Sequence, residues 1–194
     1  MKVHSRTINL TILVILVVLA ACAMARRVSS NPKLDFLEDI DRTPDKEVLF
    51  IDSLILCHQH TIAMANRALK DSSMSDVKVL AEEIKSSRQI EIQQLLSWRK
   101  SWYPNLGILV TQVSIPQMKI PDDRSQPFDS RFLEAMIPQN KMVTEIAEEA
   151  KRWTEHPELR AFLDHLIQTQ EMELADLQQW QLSWYGNLEN LSAR

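Results

Sequence analysis

A short segment occurs twice in the chain, first as Phe50-Ile51-Asp52-Ser53-Leu54-Ile55 and again as Phe132-Leu133-Glu134-Ala135-Met136-Ile137. The copies lie 82 positions apart (132 minus 50), and the same offset aligns Ser101-Trp102-Tyr103 with Ser183-Trp184-Tyr185. The chain has only 5 tryptophans, so tryptophans that match at one offset are hard to attribute to chance. The repeat therefore predicts a duplicated structural unit.

Each unit has the pattern of a helical hairpin. Apolar residues recur with helical spacing over four segments, which predicts helices at residues 46–70, 76–102, 129–153 and 156–184. Pro104 is expected to close the first unit and Gly186 the second. Two hairpins with matching apolar stripes predict an all-α four-helix bundle, with Trp102 and Trp184 in equivalent places near one end.

Composition and charge exclude several other classes of protein. The chain has 2 glycines in 194 residues, which disfavours a β-sandwich or barrel and excludes glycine-rich phosphate loops. The formal net charge of −4 gives no electrostatic support for a nucleic-acid partner.

The first residues predict export. Lys2 and Arg6 precede an uncharged apolar run from Ile8 to Ala21, which has the proportions of a signal peptide. The run ends in Leu19-Ala20-Ala21-Cys22, which resembles a bacterial lipobox and predicts a lipid anchor on Cys22. Ordinary cleavage after Ala23 or Ala25 is the alternative, and both interpretations place the protein in the periplasm or bacterial envelope.

The chain is thereby divided into five parts. The predicted parts are a lipoprotein-type signal peptide (1–21), a tether (22–45), a first hairpin (46–106), a linker (107–127) and a second hairpin (128–188).

Polar residues interrupt the apolar stripes of all four helices. At about 100° per residue they fall on the faces that should point inward. The predicted polar layer consists of His58, Arg88, Glu91, Gln139, Asn140, Gln170 and Glu173. Unpaired buried polar groups cost roughly 1–3 kcal/mol each, so these side chains must satisfy one another, hold water or hold a metal.

The repeat resembles domain-of-unknown-function family 305, a ferritin-like group of exported bacterial proteins with copper-binding members. The family pattern is roughly F-[IL]-x-x-M-I-P-H-H-Q-x-A-I-x-M-A. The first copy is F-I-D-S-L-I-L-C-H-Q-H-T-I-A-M-A from Phe50 to Ala65, and the second is F-L-E-A-M-I-P-Q-N-K-M-V-T-E-I-A from Phe132 to Ala147.

The resemblance implies that the family's paired histidines are metal ligands. In this chain the pairs are Cys57-His58 and Gln139-Asn140, so this member is degenerate. The candidate copper ligands that survive are Cys57, His58, Met64 and Glu91. Soft donors such as Cys and Met select Cu(I), whereas imidazole suits copper or zinc.

The alternative is a polar core without metal. Arg88 stands where the family has Gln, and its permanent cation opposes a bound metal ion but pairs well with Glu91 or Glu173. Two functions stay open: an exported protein of copper binding or copper homeostasis, and a metal-free envelope binding or scaffold protein with unknown protein partners.

No enzymatic chemistry is predicted. A di-iron carboxylate site needs Glu-x-x-His on two helices, and none of the histidines His58, His60, His156 and His165 has a glutamate three positions before it. A cysteine–histidine protease is not supported either. Cys57 and His58 are adjacent, so a helix points their side chains about 100° apart, and no third group is evident that would orient the histidine.

Overall fold

The computed structural model of the protein describes residues 45–107 and 119–192, with side chains as far as Tyr185 in the last helix. The predicted signal peptide, Cys22 and all but the last residue of the tether lie outside the described residues. So do residues 108–118 of the predicted linker.

The described residues form four α-helices and no strand. The helices are α1 (Lys46–Asp71), α2 (Ser75–Trp102), α3 (Phe128–Trp153) and α4 (Pro157–Ser192). α1 packs along α2, α3 packs along α4, and α1 and α3 contact each other between the hairpins. The predicted all-α bundle of two hairpins is confirmed.

Local chemistry sets most of the helix ends. α1 stops where Ser72 turns to extended backbone, and the Ser72 hydroxyl accepts a hydrogen bond from the Met74 N–H at 3.0 Å. Pro104 follows the end of α2, and Pro157 opens α4, where its missing N–H costs nothing.

The last helix differs from the prediction at its C-terminus. The expectation that Gly186 closes the second unit is wrong, because α4 continues through Gly186 to Ser192. A glycine inside a helix costs only about 1 kcal/mol. No proline follows it here, whereas Pro104 follows α2.

α1 is the most apolar helix described. By length and composition it could cross a membrane, but two-thirds of its apolar window (67%) is buried inside the bundle. It therefore serves as a core helix of the described fold.

The core consists of two apolar clusters, each built from both hairpins. Cluster 1 contains Leu49, Phe50, Ile51, Leu54, Ile55, Leu95, Met142, Val143, Ile146, Ala147, Ala150, Leu159, Leu163 and Leu166. Cluster 2 contains Met64, Ala65, Ala68, Val77, Leu80, Ala81, Ile84, Ile120, Phe132, Leu133, Ala135, Met136, Ile137 and Leu177. Phe50 and Phe132 occupy equivalent places in the two clusters, as the repeat requires.

The tryptophans show the same internal symmetry. Trp98 stacks on Trp102 at 5.2 Å with 9° between the rings, and Trp180 stacks on Trp184 at 5.3 Å with 8°. The pairs pack against different clusters, so Trp102 and Trp184 are equivalent but lie at opposite ends of the bundle. The expectation of one shared end is wrong, because the hairpins are related by a rotation that reverses the bundle axis.

Candidate functional site

The polar layer lies between the two apolar clusters. On α1, His58 is flanked by Ile55 of cluster 1 and Met64 of cluster 2. On α2, Arg88 and Glu91 are flanked in the same way by Ile84 and Leu95. All seven side chains that the stripes point inward are buried, with 0–8% of their surface exposed.

Arg88 is the centre of this layer. It has 0% exposed surface, and its Nη2 donates two hydrogen bonds to Glu173, at 2.7 and 2.8 Å. Its Nη1 lies 3.2 Å from Glu91 Oε1 and 3.3 Å from Glu91 Oε2. One guanidinium therefore joins α2 to α4 and serves two carboxylates, which the planar fork of arginine is suited to do.

His58 lies on the other side of Glu91. Its Nε2 is 3.0 Å from Glu91 Oε2, although the ring N–H is not aligned as a regular hydrogen bond. Burial lowers the pKa of His58, and the charge of Arg88 lowers it further. The contact with Glu91 acts in the opposite direction but does not outweigh them. The imidazole is therefore neutral at physiological pH.

The two carboxylates differ in their proton affinity. Burial works to raise the pKa of Glu91, but the His58 contact and the Arg88 charge outweigh it and hold that pKa below its ordinary value. Burial raises the pKa of Glu173, although Arg88 and Asn140 oppose it. On acidification Glu173 therefore takes up a proton before Glu91.

The second hairpin contributes amides to the layer. Asn140 Nδ2 donates to Glu173 Oε2 at 3.1 Å. Gln139 donates to the Thr61 hydroxyl of α1, away from Arg88. Gln170 is also buried, with 3% exposed, and its Oε1 has no hydrogen-bond partner among the described residues.

The four candidate copper ligands do not lie together as one group. His58 and Glu91 are in contact, whereas Met64 packs in cluster 2. Cys57 lines a cavity with residues of cluster 1, and burial raises its thiol pKa to about 12. Within residues 45–107 and 119–192, no three His, Cys, Asp or Glu side chains are grouped as a metal site would require.

The layer itself fits an internal cation better than a metal ion. Its carboxylates already share a fixed guanidinium charge, and the imidazole faces a carboxylate that Arg88 also contacts. A metal ion placed between Glu91 and Glu173 would have to displace Arg88, leaving that cation buried without its partners.

A cluster at one end of the bundle was missed in the sequence. His156 stacks on Trp102, with ring centroids 3.7 Å apart, and its Nδ1 contacts Glu47. The sequence gives no direct signal for this cluster, because its members come from three different helix ends. The one signal that could have suggested the cluster is the 82-residue offset, at which the acidic residue Glu47 aligns with Asp129.

Comparisons with known proteins agree on one family and one fold. The model of a family described as a domain of unknown function, DUF305, matches residues 23–107 and 111–181. A solved structure titled "CopM in the apo form" is 30% identical, with a TM-score of 0.61, and the match covers 70% of this chain and 96% of that one.

Metal-bound structures of the same protein are also similar. CopM in the Cu(I)-bound form and in an Ag-bound form each share 29% identity and a TM-score of 0.60, covering 70% of this chain and 95% of theirs. No curated protein matches the chain.

Proposed function

The chain belongs to the DUF305 family, and from that premise we propose that it is an exported copper-binding protein of low capacity, holding at most one Cu(I) per chain. CopM, which is similar over 96% of its own length, has been solved with Cu(I), with Cu(II) and with silver. The thiol of Cys57 is a soft donor, which supports Cu(I) as the preferred ion.

One observation supports the proposed low capacity for copper. Arg88 is fully buried and hydrogen-bonded to Glu91 and to Glu173, so the polar layer already contains its cation. The guanidinium cannot lose its charge in a protein, and a metal ion in the same layer would be repelled by it.

The proposed location is the bacterial envelope. The basic start, the uncharged apolar run and the Leu19-Ala20-Ala21-Cys22 sequence support export and a lipid anchor on Cys22. A copper-binding protein held there would meet the ion outside the cytoplasm, in a compartment of oxidising chemistry.

The second candidate is a metal-free envelope scaffold. The same Arg88 pairing favours it, because a layer that satisfies its own charges keeps the bundle folded without a metal. A titration that finds no Cu(I) bound would select this function.

Metal stoichiometry separates the two candidates. Anaerobic titration with Cu(I) against a chromophoric chelator should give at most one ion per chain for the wild type. Arg88→Gln removes the internal cation, so it should acquire an additional divalent-ion site among His58, Glu91 and Glu173, measured with Cu(II). The exposed Arg67→Gln serves as the matched control and should gain none. Two or more tightly bound Cu(I) ions in the wild type would overturn the low-capacity proposal.

A further inference from the structure

A second cavity lies at the end of the bundle where the start of α1 meets the turn between α3 and α4. It measures about 200 Å³. Its lining comes from the start of α1, the residue after α2, the last residue of α3 and the turn that follows: Asp45, Lys46, Glu47, Tyr103, Trp153 and Glu155. One water molecule needs only about 10–15 Å³ of such space, so this cavity has room for a small organic molecule.

The lining of this end cavity is acidic. Glu47 is buried, and its carboxylate already accepts the Glu155 N–H and contacts His156. The carboxylates of Asp45 and Glu155 are exposed, and among the described residues they form no hydrogen bond or ion pair. Three carboxylates and the ammonium of Lys46 give the lining a formal charge of −2 (1 minus 3).

A positively charged group of the chain itself already lies against the aromatic wall. The Lys46 ammonium is 5.0 Å from the centroid of the Trp153 ring. That ring packs edge-on against Phe50, with centroids 5.8 Å apart and 83° between the planes. The face of an aromatic ring attracts ammonium groups, so Trp153 gives the cavity a positioned surface for a cation.

Tyr103 shows the sign of the electrostatic potential inside the cavity. Burial raises the pKa of its phenol, and the carboxylates of Glu47, Glu155 and Asp45 raise it further. A negative charge is therefore disfavoured at this place, and a positive charge is favoured.

The internal repeat indicates that the fold does not require all of these carboxylates. At the 82-residue offset, Glu47 aligns with Asp129, and each holds the turn of the other hairpin. Asp45, however, aligns with a proline, and Glu155 aligns with a serine. The opposite end of the bundle thus keeps the same turn contact without these two carboxylates, which leaves them available for a ligand.

We propose that the end cavity binds an organic dication, a linear alkanediamine. Its two ammonium groups pair with the carboxylates of Asp45 and Glu155, and its methylene chain lies against Tyr103 and Trp153. This inference is independent of the proposed copper function, because no residue of the lining is a candidate copper ligand.

Charge and spacing favour a diamine over a divalent metal ion. Either dication would neutralise the lining, but within residues 45–107 and 119–192 no three His, Cys, Asp or Glu side chains are grouped closely enough to hold a metal. A diamine carries its charges at opposite ends of a chain, so it can serve carboxylates that lie apart. Its ammonium groups also supply the N–H donors that carboxylates accept in charge-assisted hydrogen bonds.

Calorimetric titration with 1,4-diaminobutane at low ionic strength tests the proposal. The exported chain with Cys22→Ser, which removes the predicted lipid anchor, should bind one diamine. Asp45→Asn and Glu155→Gln should each weaken binding by about two- to fivefold, the range of an exposed ion pair. Glu158→Gln is the matched control, because Glu158 is an exposed acid in the first turn of α4 that does not line the cavity. It should leave the affinity unchanged.

Two further measurements test the charge and the aromatic wall. Lys46→Met removes the chain's own ammonium from the Trp153 face, so it should strengthen diamine binding by about two- to fivefold. Butylamine has the same chain with one ammonium group, so it should bind more weakly than the diamine.

Several results would overturn the site. Equal weakening by Glu158→Gln, or displacement of the diamine by an equal concentration of Mg²⁺, would show only a general attraction of cations to an acidic protein. Unchanged affinity in the Asp45→Asn/Glu155→Gln double variant would also overturn it. Absence of diamine binding by the parent would do the same and leave the copper function standing. Circular dichroism on each variant excludes loss of folding as the cause.

Discussion

At the scale of single residues, Arg88 decides what the centre of the bundle can do. A guanidinium with no exposed surface would be strongly destabilising alone, and removal of one partner from such a buried pair typically costs about 3–5 kcal/mol. Here Glu91 and Glu173 both compensate it. The layer therefore stabilises the fold most as a complete set, and each single replacement should lower the free energy of unfolding.

Glu91 gives this layer a pH dependence. Its pKa is lower in the folded protein than the ordinary value of 4.5, so the stability it contributes is present above that value and is lost as the pH falls through the folded pKa. Glu91→Gln keeps the shape of the side chain and removes the charge. Because Glu173 still compensates Arg88, this change should lower the free energy of unfolding at neutral pH by about 1–3 kcal/mol, less than the loss of a sole partner.

Urea denaturation of wild type and Glu91→Gln between neutral pH and about pH 3 measures this effect. The gap between the two proteins should shrink as Glu91 becomes protonated. A gap that stays constant over the range would contradict the assigned ionised state of Glu91.

The sequence predicts this part of the site well, but it does not predict which residues of the two hairpins face each other. His58, Arg88 and Glu91 fall in apolar stripes, and helical periodicity alone places them inside the bundle. Cys57 lies beside the stripe, and its neighbour Met142 belongs to the other hairpin. Periodicity within one helix carries no information on how two hairpins face each other, so the sequence could not pair these two residues.

At the scale of helices, the same contact is built twice by the repeat. Glu47, in the first turn of α1, accepts a hydrogen bond from the Glu155 N–H at 2.6 Å in the turn between α3 and α4. Asp129, in the first turn of α3, accepts one from the Ser73 N–H at 3.3 Å and others from the Ser72 and Ser73 hydroxyls. Each hairpin thus ties down the turn of the other.

These two contacts should contribute to stability in parallel. Glu47→Ala and Asp129→Ala should each lower the free energy of unfolding by about 1–3 kcal/mol, because each leaves a backbone N–H near the helix end without its acceptor. Glu158→Ala is a matched control, since Glu158 is an exposed acid in the first turn of α4. It should change stability by about 0.5 kcal/mol or less. Thermal or urea unfolding measures the three variants. If Glu158→Ala lowered the free energy of unfolding as much as the other two, the role of these contacts would be refuted.

At the scale of the whole molecule, two similar hairpins surround one asymmetric centre. The repeat predicts the hairpins, three of the four helix lengths and the equivalence of the stacked tryptophan pairs. It does not predict that the pairs lie at opposite ends, because an offset in sequence fixes equivalence but not the rotation that relates the units. The asymmetry comes from different residues at equivalent positions of the repeat. At the 82-residue offset, Arg88 aligns with Gln170, and Cys57 aligns with Gln139.

Of these substitutions, Arg88 has the clearest consequence, because it supplies the positive charge that holds the layer together. The central claim is that the layer is closed to metal by its own guanidinium.

Anomalous diffraction from crystals of the protein loaded separately with Cu(I) and with Cu(II) tests that claim most directly. The account predicts no anomalous peak within the polar layer, with the Arg88 guanidinium between Glu91 and Glu173 in both crystals. A copper peak coordinated by His58 and either of these carboxylates, with Arg88 displaced, would contradict it.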